Sequence, residues 1–306
     1  MAQDVRDGLT ANPKRLPPKY FYDERGSDIF EQITKLPEYY PMREEESLLN
    51  LISPGLIASL APSEVVELGS GSSTKTRALL DVGQANGCLK RYVAFDVSES
   101  IIRLAVKELL QRYKDLEIYG IVGDFQHHLD KIPVHVGRRL LLFLGGTLGN
   151  FYREERIELL GEICRLLKPD DRLLVGFDLV KDTALIEAAY NDSQGVTAEF
   201  NRNMLNVINA GLESDFSPEA FEHYAYFNTA EARIEMHLRP RSKQIAYLKT
   251  LDITVEIEPP ETIWTESSHK FTGESVREML AASGLSLKEW YAAPKDMFAL
   301  ALVGPT

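Results

Sequence analysis

Apolar runs alternate with amphipathic segments through the middle of the chain. The runs SEVVEL, RYVAFD, RRLLLFLGG and RLLVGFDLV are typical of strands buried on both faces, and ESIIRLAVKELLQRY and EERIELLGEICRLLKPDD carry apolar residues at helical spacing. This alternation predicts an α/β fold with a doubly wound, mostly parallel sheet covered by helices. Near the C-terminus, SLKEWYAAP and DMFALALV predict two more strands, which we expect to complete this sheet with an antiparallel edge.

The pattern changes near residue 180. The helical segment TAEFNRNMLNVINAGL is followed by the strand-like segments EHYAYFN, ARIEMHLR, KQIAYLK and LDITVEI, a succession typical of an α+β unit. We therefore expect a Rossmann-like domain formed by residues 46–180 with 270–306, and a second, inserted α+β domain formed by residues 1–45 with 181–269.

The segment ELGSGSSTKT joins the first apolar strand to a helix through a glycine-rich turn. Gly69 and Gly71 allow a tight turn and close approach to a ligand, and Glu67 offers a carboxylate that can hold a ligand's cationic end or the turn itself. The next strand ends at Asp96, where doubly wound folds place an acid that receives ribose hydroxyls. A nicotinamide dinucleotide is the competing ligand, but its G-x-G-x-x-G fingerprint requires glycine where Thr74 stands. The turn is similar to that of class I S-adenosylmethionine-dependent methyltransferases.

Composition narrows the function further. The 34 basic and 46 acidic residues give a net charge of −12 without a dense Lys/Arg run, which argues against a nucleic-acid partner and favours a small-molecule substrate. With Cys88 and Cys164 as the only cysteines, neither a disulfide framework nor a Cys-rich zinc site is expected. No apolar run approaches the ~20 residues that span a bilayer, and the N-terminus lacks a signal-peptide core. We expect a cytoplasmic monomer with no membrane partner.

Several longer motifs together carry a more specific resemblance. The segments YFYDERGSDIFEQITKLPEYYP, ELGSGSSTKT, FDVS, GDF, FLGGTLGN, GVTAEFNRNML, RIEMHLR and TESSHKF resemble the histidine-specific Nα-methyltransferases of ergothioneine biosynthesis, over nearly the whole chain from about residue 17. The resemblance implies three successive methyl transfers from S-adenosylmethionine to the α-amino group of L-histidine, giving hercynine. It also implies that the inserted domain binds the substrate. The histidines show no metal-ligand spacing, so no metal is expected.

The resemblance also implies which residues contact S-adenosylmethionine. An acid can accept hydrogen bonds from the ribose hydroxyls or from the adenine amino group, and an aromatic ring can flank the adenine. From the residues alone, Asp124 reads equally well as a turn residue after a strand, and Lys75 as a solvated helix residue. The positions that match the family's cofactor contacts are Gly69, Lys75, Asp96, Asp124 and Phe125.

On the substrate side, Glu266 and Ser268 lie two apart, so a strand places both on one face, where a carboxylate and a hydroxyl suit an imidazole. The resemblance assigns Asn150 and Tyr190 to the substrate carboxylate, and we interpret Tyr22 as the residue that accepts a hydrogen bond from the reacting amine. The residues alone also allow a solvated strand face, an Asn turn and packed tyrosine rings. The positions that match the family's substrate contacts, apart from Tyr22, are Tyr39, Asn150, Tyr190, Met236, Glu266 and Ser268.

Three alternative functions remain open. The first is a methyltransferase of the same fold acting on another amino acid or amine, such as tryptophan, which the presence of Met236 and Glu266 disfavours. The second is a nicotinamide-dependent dehydrogenase, which Thr74 disfavours. The third is a non-catalytic cofactor-binding protein.

Overall fold

A computed structural model describes the whole chain, residues 1–306, and divides it into two compact units. The first unit comprises Met1–Tyr40 with Lys181–His269, and the second comprises Pro41–Val180 with Lys270–Thr306. The α-helices are α1 (Ala2–Thr10), α2 (Glu24–Ile33), α3 (Tyr40–Leu60), α4 (Arg77–Ala85), α5 (Glu99–Arg112), α6 (Arg153–Leu166), α7 (Thr183–Ala188), α8 (Val196–Leu212) and α9 (Gly273–Ala282).

The strands form three separate sheets, of seven, four and two strands. They are β1 (Lys14–Arg15), β2 (Glu64–Leu68), β3 (Arg91–Asp96), β4 (Glu117–Val122), β5 (Arg139–Phe143), β6 (Arg172–Asp178), β7 (Phe221–Asn228), β8 (Arg233–Pro240), β9 (Gln244–Leu248), β10 (Ile253–Ile257), β11 (Ile263–His269), β12 (Leu285–Ala292) and β13 (Phe298–Pro305).

The second unit contains the seven-stranded sheet, in the order β12-β13-β6-β5-β2-β3-β4. Strands β2 to β6 run parallel, whereas β13 pairs antiparallel with β6, and β12 antiparallel with β13. Successive residues of β2 point into two different cores, with Val66 and Leu68 in one and Val65 in the other. Burial on both faces explains why these strands read as continuous apolar runs. The predicted α/β fold, including its antiparallel edge, is confirmed.

Helix α3 is the main element that the hydrophobic pattern does not indicate. It is 21 residues long and contains Pro54, a residue that normally marks the end of a helix. Its apolar residues Leu48, Leu49 and Leu56 pack into one of the two cores of the second unit, which stabilises the helix despite the proline. Because α3 begins at Tyr40, the boundary expected between residues 45 and 46 falls within this helix.

The first unit contains the smaller sheets. The four-stranded sheet has the order β1-β11-β8-β7, and β9 and β10 form a separate antiparallel pair. Acidic side chains accept hydrogen bonds from the first amides of two helices of this unit: Asp23, the N-cap of α2, accepts from the Gly26 amide at 2.7 Å, and Asp192, upstream of the Gly195 N-cap of α8, accepts from the Thr197 amide at 2.7 Å. These hydrogen bonds fix where α2 and α8 begin. No helix of the chain combines the length and the apolar character needed to cross a membrane.

Candidate active site

The glycine-rich turn lies between β2 and α4, at the carboxyl end of the parallel strands. Gly69 and Gly71 have φ angles of +69° and +50°, which favour glycine because a β-carbon is strained there. A β-carbon added to Gly71 would meet no atom within 4 Å, so this part of the turn faces open space. The turn therefore combines backbone groups that a ligand can approach with room for that ligand.

Asp96, at the end of β3, is hydrogen-bonded to the glycine-rich turn. Its carboxylate accepts hydrogen bonds from the Gly71 amide at 2.9 Å and from the Ser98 amide at 3.0 Å. Burial raises the pKa of this carboxyl group, although the bonds from the amides act in the opposite direction. Hydroxyl donors from a ribose would add to these bonds and stabilise the charged form, so the site fits the predicted ligand group.

Glu67 supports the glycine-rich turn from its buried side. Its carboxylate is 2% exposed and accepts a hydrogen bond from the Tyr92 hydroxyl, which also lies 2.9 Å from the Ser73 hydroxyl. Burial raises the pKa of Glu67 to about 7. Of the two roles that the sequence leaves open for this carboxylate, the structure shows the one in which it holds the turn.

Lys75, in the same turn, has a partner that the sequence does not reveal. Its ammonium forms an ion pair with Glu45 of α3, and the Glu45 carboxylate also accepts a hydrogen bond from the Gly145 amide at 2.8 Å. Lys75 is thus a paired, mostly buried lysine and not a solvated one. Glu45 was missed because only the tertiary fold brings α3 to this turn, across 30 residues of sequence.

Asp124 and Phe125 follow β4. The Asp124 side chain accepts a hydrogen bond from the Gln126 amide at 3.0 Å, which is the turn role that the residues alone allow. The Phe125 ring packs edge-on against Phe143 at 5.3 Å and against Phe151 at 5.9 Å, measured between ring centroids. These two contacts fix the orientation of the Phe125 ring next to the turn that follows β4.

Asn150 ends a short 3-10 helix, Thr147–Asn150, that follows β5. It is partly exposed, and its side-chain amide has no hydrogen-bond partner within the chain. The turn after β2, the end of β3 and the segments after β4 and β5 all lie at the carboxyl edge of one parallel sheet. Open α/β folds bind ligands at this edge. The structure therefore brings the predicted cofactor positions, and Asn150, to a common edge of the second unit.

In the first unit, the predicted tyrosines belong to one chain of edge-on aromatic contacts. Tyr22 lies 5.5 Å from Phe30, Phe30 lies 6.2 Å from Tyr39, and Tyr39 lies 6.4 Å from Tyr190, between ring centroids. Phe200 of α8 packs against Tyr22 at 5.6 Å. Each ring is held by its neighbours, so the three hydroxyl groups have fixed positions.

The sheet of the first unit brings the predicted side-chain pocket together. Glu266 on β11 pairs directly with Met236 on β8, and Ser268 accepts a hydrogen bond from the Tyr190 hydroxyl at 2.8 Å. The register shifts between Trp264 and Glu266, a β-bulge that places these two residues on opposite faces of the sheet. Met236, Glu266 and Ser268 consequently share one face, with Tyr190 bonded to it.

Two residues that the sequence analysis missed fix the position of Tyr190. The His223 ring lies 2.8 Å from the Tyr190 carbonyl oxygen, through Nε2, and 2.9 Å from the Asn201 amide, through Nδ1. The side-chain amide of Asn201 cannot be flipped. Its Nδ2 atom also donates to the His237 carbonyl, and its Oδ1 atom accepts from the Thr265 hydroxyl. The neutral ring therefore donates from Nε2 and accepts at Nδ1. No signal in the sequence pairs these positions.

Comparison with known proteins identifies the family. The sequence profile of the histidine-specific, S-adenosylmethionine-dependent methyltransferases matches residues 1–305. The chain belongs to this family. It is 48% identical over 302 residues to the histidine N-alpha-methyltransferase of Mycolicibacterium smegmatis, covering 99% of this chain and 94% of that protein. The corresponding protein of Mycobacterium tuberculosis is 45% identical over the same shares of the two chains.

A more distant relative of this methyltransferase is ergothioneine biosynthesis protein 1 of Schizosaccharomyces pombe. It is 28% identical over 288 residues, which cover 90% of this chain and 37% of the longer yeast protein. The resemblance predicted from the motifs is confirmed, as is S-adenosylmethionine as the cosubstrate of the family. The roles of the individual site residues stay predictions, and the structure shows where each of them lies.

Proposed function

We propose that this methyltransferase transfers methyl groups from S-adenosylmethionine to the α-amino nitrogen of L-histidine, successively to trimethylhistidine (hercynine), in ergothioneine biosynthesis. The observation that carries the proposal is the shared face of Met236, Glu266 and Ser268, which offers a thioether, a carboxylate and a hydroxyl side by side. The names of the bacterial relatives and of the yeast relative support the reaction and the pathway.

The side-chain pocket suits an imidazole for chemical reasons. Glu266 accepts a hydrogen bond from one imidazole N–H, and Ser268, positioned by Tyr190, serves the second ring nitrogen as donor or acceptor. Met236, 1% exposed, offers a polarizable surface to the flat ring. A polar site of this kind rejects an apolar side chain because its buried polar groups would be left unpaired. An indole could offer its N–H to Glu266, but it has no second ring nitrogen for Ser268, so it is disfavoured relative to an imidazole.

The reacting amine must lose a proton before it can act as a nucleophile. S-adenosylmethionine supplies, when bound, an electrophilic methyl group on a sulfonium. We assign to the Tyr22 hydroxyl the acceptance of a hydrogen bond from the substrate amine, which aligns the nitrogen and assists the loss of its proton. Tyr22 keeps a fixed orientation because Phe30 and Phe200 pack against its ring. The neighbouring ring of Tyr39 offers an aromatic face to a methylated ammonium.

The substrate carboxylate is assigned to Asn150, whose side-chain amide has no partner within the chain and can donate. The cofactor contacts are assigned to the second unit, with Asp96 receiving the ribose hydroxyls and Asp124 and Phe125 holding the adenine. We further propose that the enzyme acts as a cytoplasmic monomer on a small molecule, without nucleic-acid or membrane partners.

The first experiment is mass spectrometry of the purified protein incubated with S-adenosylmethionine and the twenty amino acids. We expect trimethylated histidine as the only product. Glu266→Gln should abolish most of this product, whereas Glu222→Gln, an exposed change on β7 of the same sheet, should leave it unchanged. Methylation of a different amino acid would overturn the histidine assignment. Equal activity of Glu266→Gln and the wild type would overturn the pocket.

A further inference from the structure

A buried carboxylate lies behind the cofactor turn and has no role in the function described so far. The Glu45 side chain is 0% exposed, and its hydrogen bonds and ion pair go to two groups, the Lys75 ammonium and the Gly145 amide. Both carboxylate oxygens lie within 2.9 Å of the Gly145 amide. Lys75 has no other ion-pair or hydrogen-bond partner for its ammonium. Glu45 therefore sets the position of both groups.

The sheet leaves a space that this carboxylate fills. A β-carbon at Gly176, in the middle of β6, would lie 2.2 Å from the Glu45 Oε1 atom. Glycine at this strand position is unfavourable for the strand itself, and close approach of another group is the usual reason for it. The Glu45 carboxylate thus touches β6, the glycine-rich turn and the loop after β5, three segments that surround the carboxyl edge of the sheet.

Stability alone is a weak reason for such a pair. Withdrawing a carboxylate and an ammonium from water is costly, and apolar residues of similar size often serve a fold equally well. The pair does, however, connect two segments to which ligand contacts are assigned. Lys75 belongs to the cofactor turn, and Gly145 begins the loop that ends at Asn150. One side chain on α3 holds both in place.

We propose that Glu45 is a positioning residue for the methyl-transfer reaction. Through Lys75 it fixes the ammonium that the family resemblance assigns to the bound cosubstrate, and through the Gly145 amide it fixes the loop that carries Asn150. Both halves of the inference rest on the proposed function, because both depend on assigned ligand contacts. A merely structural role would predict lower stability without a change in ligand affinity.

The test measures binding of S-adenosylhomocysteine by calorimetry, in the absence of histidine, together with thermal stability. Glu45→Gln keeps an oxygen for the Gly145 amide but removes the charge that holds Lys75, so we expect affinity to fall about tenfold. The matched control is Glu64→Gln. Glu64 is 1% exposed and pairs with Arg139 and Arg91 at the opposite end of β2, so its change should lower stability without lowering affinity.

A double-mutant cycle separates an effect through Lys75 from an independent one. If Glu45 acts through Lys75, then Glu45→Gln should add little to the loss already caused by Lys75→Met. Should Lys75→Met fail to fold, Gly176→Ala displaces the Glu45 carboxylate and presses on the Phe298 ring without removing either charge, and it should weaken binding similarly. Wild-type affinity in folded Glu45→Gln, or an equal loss in Glu64→Gln, would overturn the proposal. Intact binding without histidine methylation would count against the proposed function instead.

Discussion

Single side chains of the first unit determine how the substrate amine is handled. Tyr22→Phe keeps the ring that packs against Phe30 and Phe200 but removes the hydroxyl. We expect kcat to fall about a hundredfold, the lower range for a lost proton-transfer group, while KM for histidine changes little. Steady-state kinetics provide the measurement. Tyr20→Phe is the control, since Tyr20 lies in the 3-10 helix Pro18–Phe21, which ends just before Tyr22, and its hydroxyl donates to Asp4. Unchanged kcat in Tyr22→Phe would refute the role.

The candidate site residues follow mainly from the resemblance to the family, and from the residues alone only the glycine-rich turn, Asp96 and the Glu266–Ser268 spacing indicate a site. Glu45, His223 and Asn201 were not predictable in this way. Their importance comes from tertiary contacts, such as the one between Glu45 and Gly145 across 100 residues of sequence. Glu67 is an intermediate case, because its position was visible in the sequence but its role depends on the Tyr92 hydroxyl.

The elements of the fold were predictable to the extent that their apolar pattern is regular. The buried strands and α8 have such a pattern, whereas α3 contains Pro54 and derives its stability from packing. The bulge in β11 was not predictable either. Thr265 has no partner in the ladder, and its hydroxyl contacts the Asn201 side chain and the Met236 carbonyl. That bulge decides which face Glu266 occupies. Local patterns do not contain this information, since it depends on the partner strand and on α8.

The glycine-rich turn offers a test at the level of an element. Gly71→Ala places a β-carbon on a residue with φ +50°, which should cost about 1 kcal/mol of stability. The β-carbon also enters the open space before the turn, so we expect binding of S-adenosylhomocysteine to weaken at least about tenfold. Gly87→Ala is the matched control, with φ +68° and no atom within 4 Å. Thermal unfolding should show similar losses for both variants, and calorimetry a binding loss for Gly71→Ala alone. Equal binding by the two variants would contradict a ligand at this turn.

At the scale of the whole molecule, two buried groups, Glu67 and His223, make stability depend on pH in opposite directions. Burial raises the pKa of Glu67 from 4.5 to about 7, so its stabilising contribution is present below pH 4.5 and is lost as pH rises through 7. Burial lowers the pKa of His223 below its ordinary 6.5, so the native state favours the neutral ring and stability is lost as pH falls below 6.5. The contributions of Glu67 and His223 partly cancel where both groups titrate. A variant that removes only one of the two groups is needed to separate them.

His223→Gln isolates the histidine contribution, because glutamine offers a donor and an acceptor but does not titrate. A protonated His223 would direct an N–H at the Asn201 amide, which is held by its other bonds and cannot accept. Between pH 7.5 and 5.5, we therefore expect the wild type to lose about 1 kcal/mol, or about 2 °C in melting temperature, more than His223→Gln does. His127→Gln, which removes an exposed imidazole, should follow the wild type. Parallel melting curves of the wild type and His223→Gln at both pH values would show that His223 accepts a proton in the native state without cost, and would remove the argument that this ring locks Tyr190 in place.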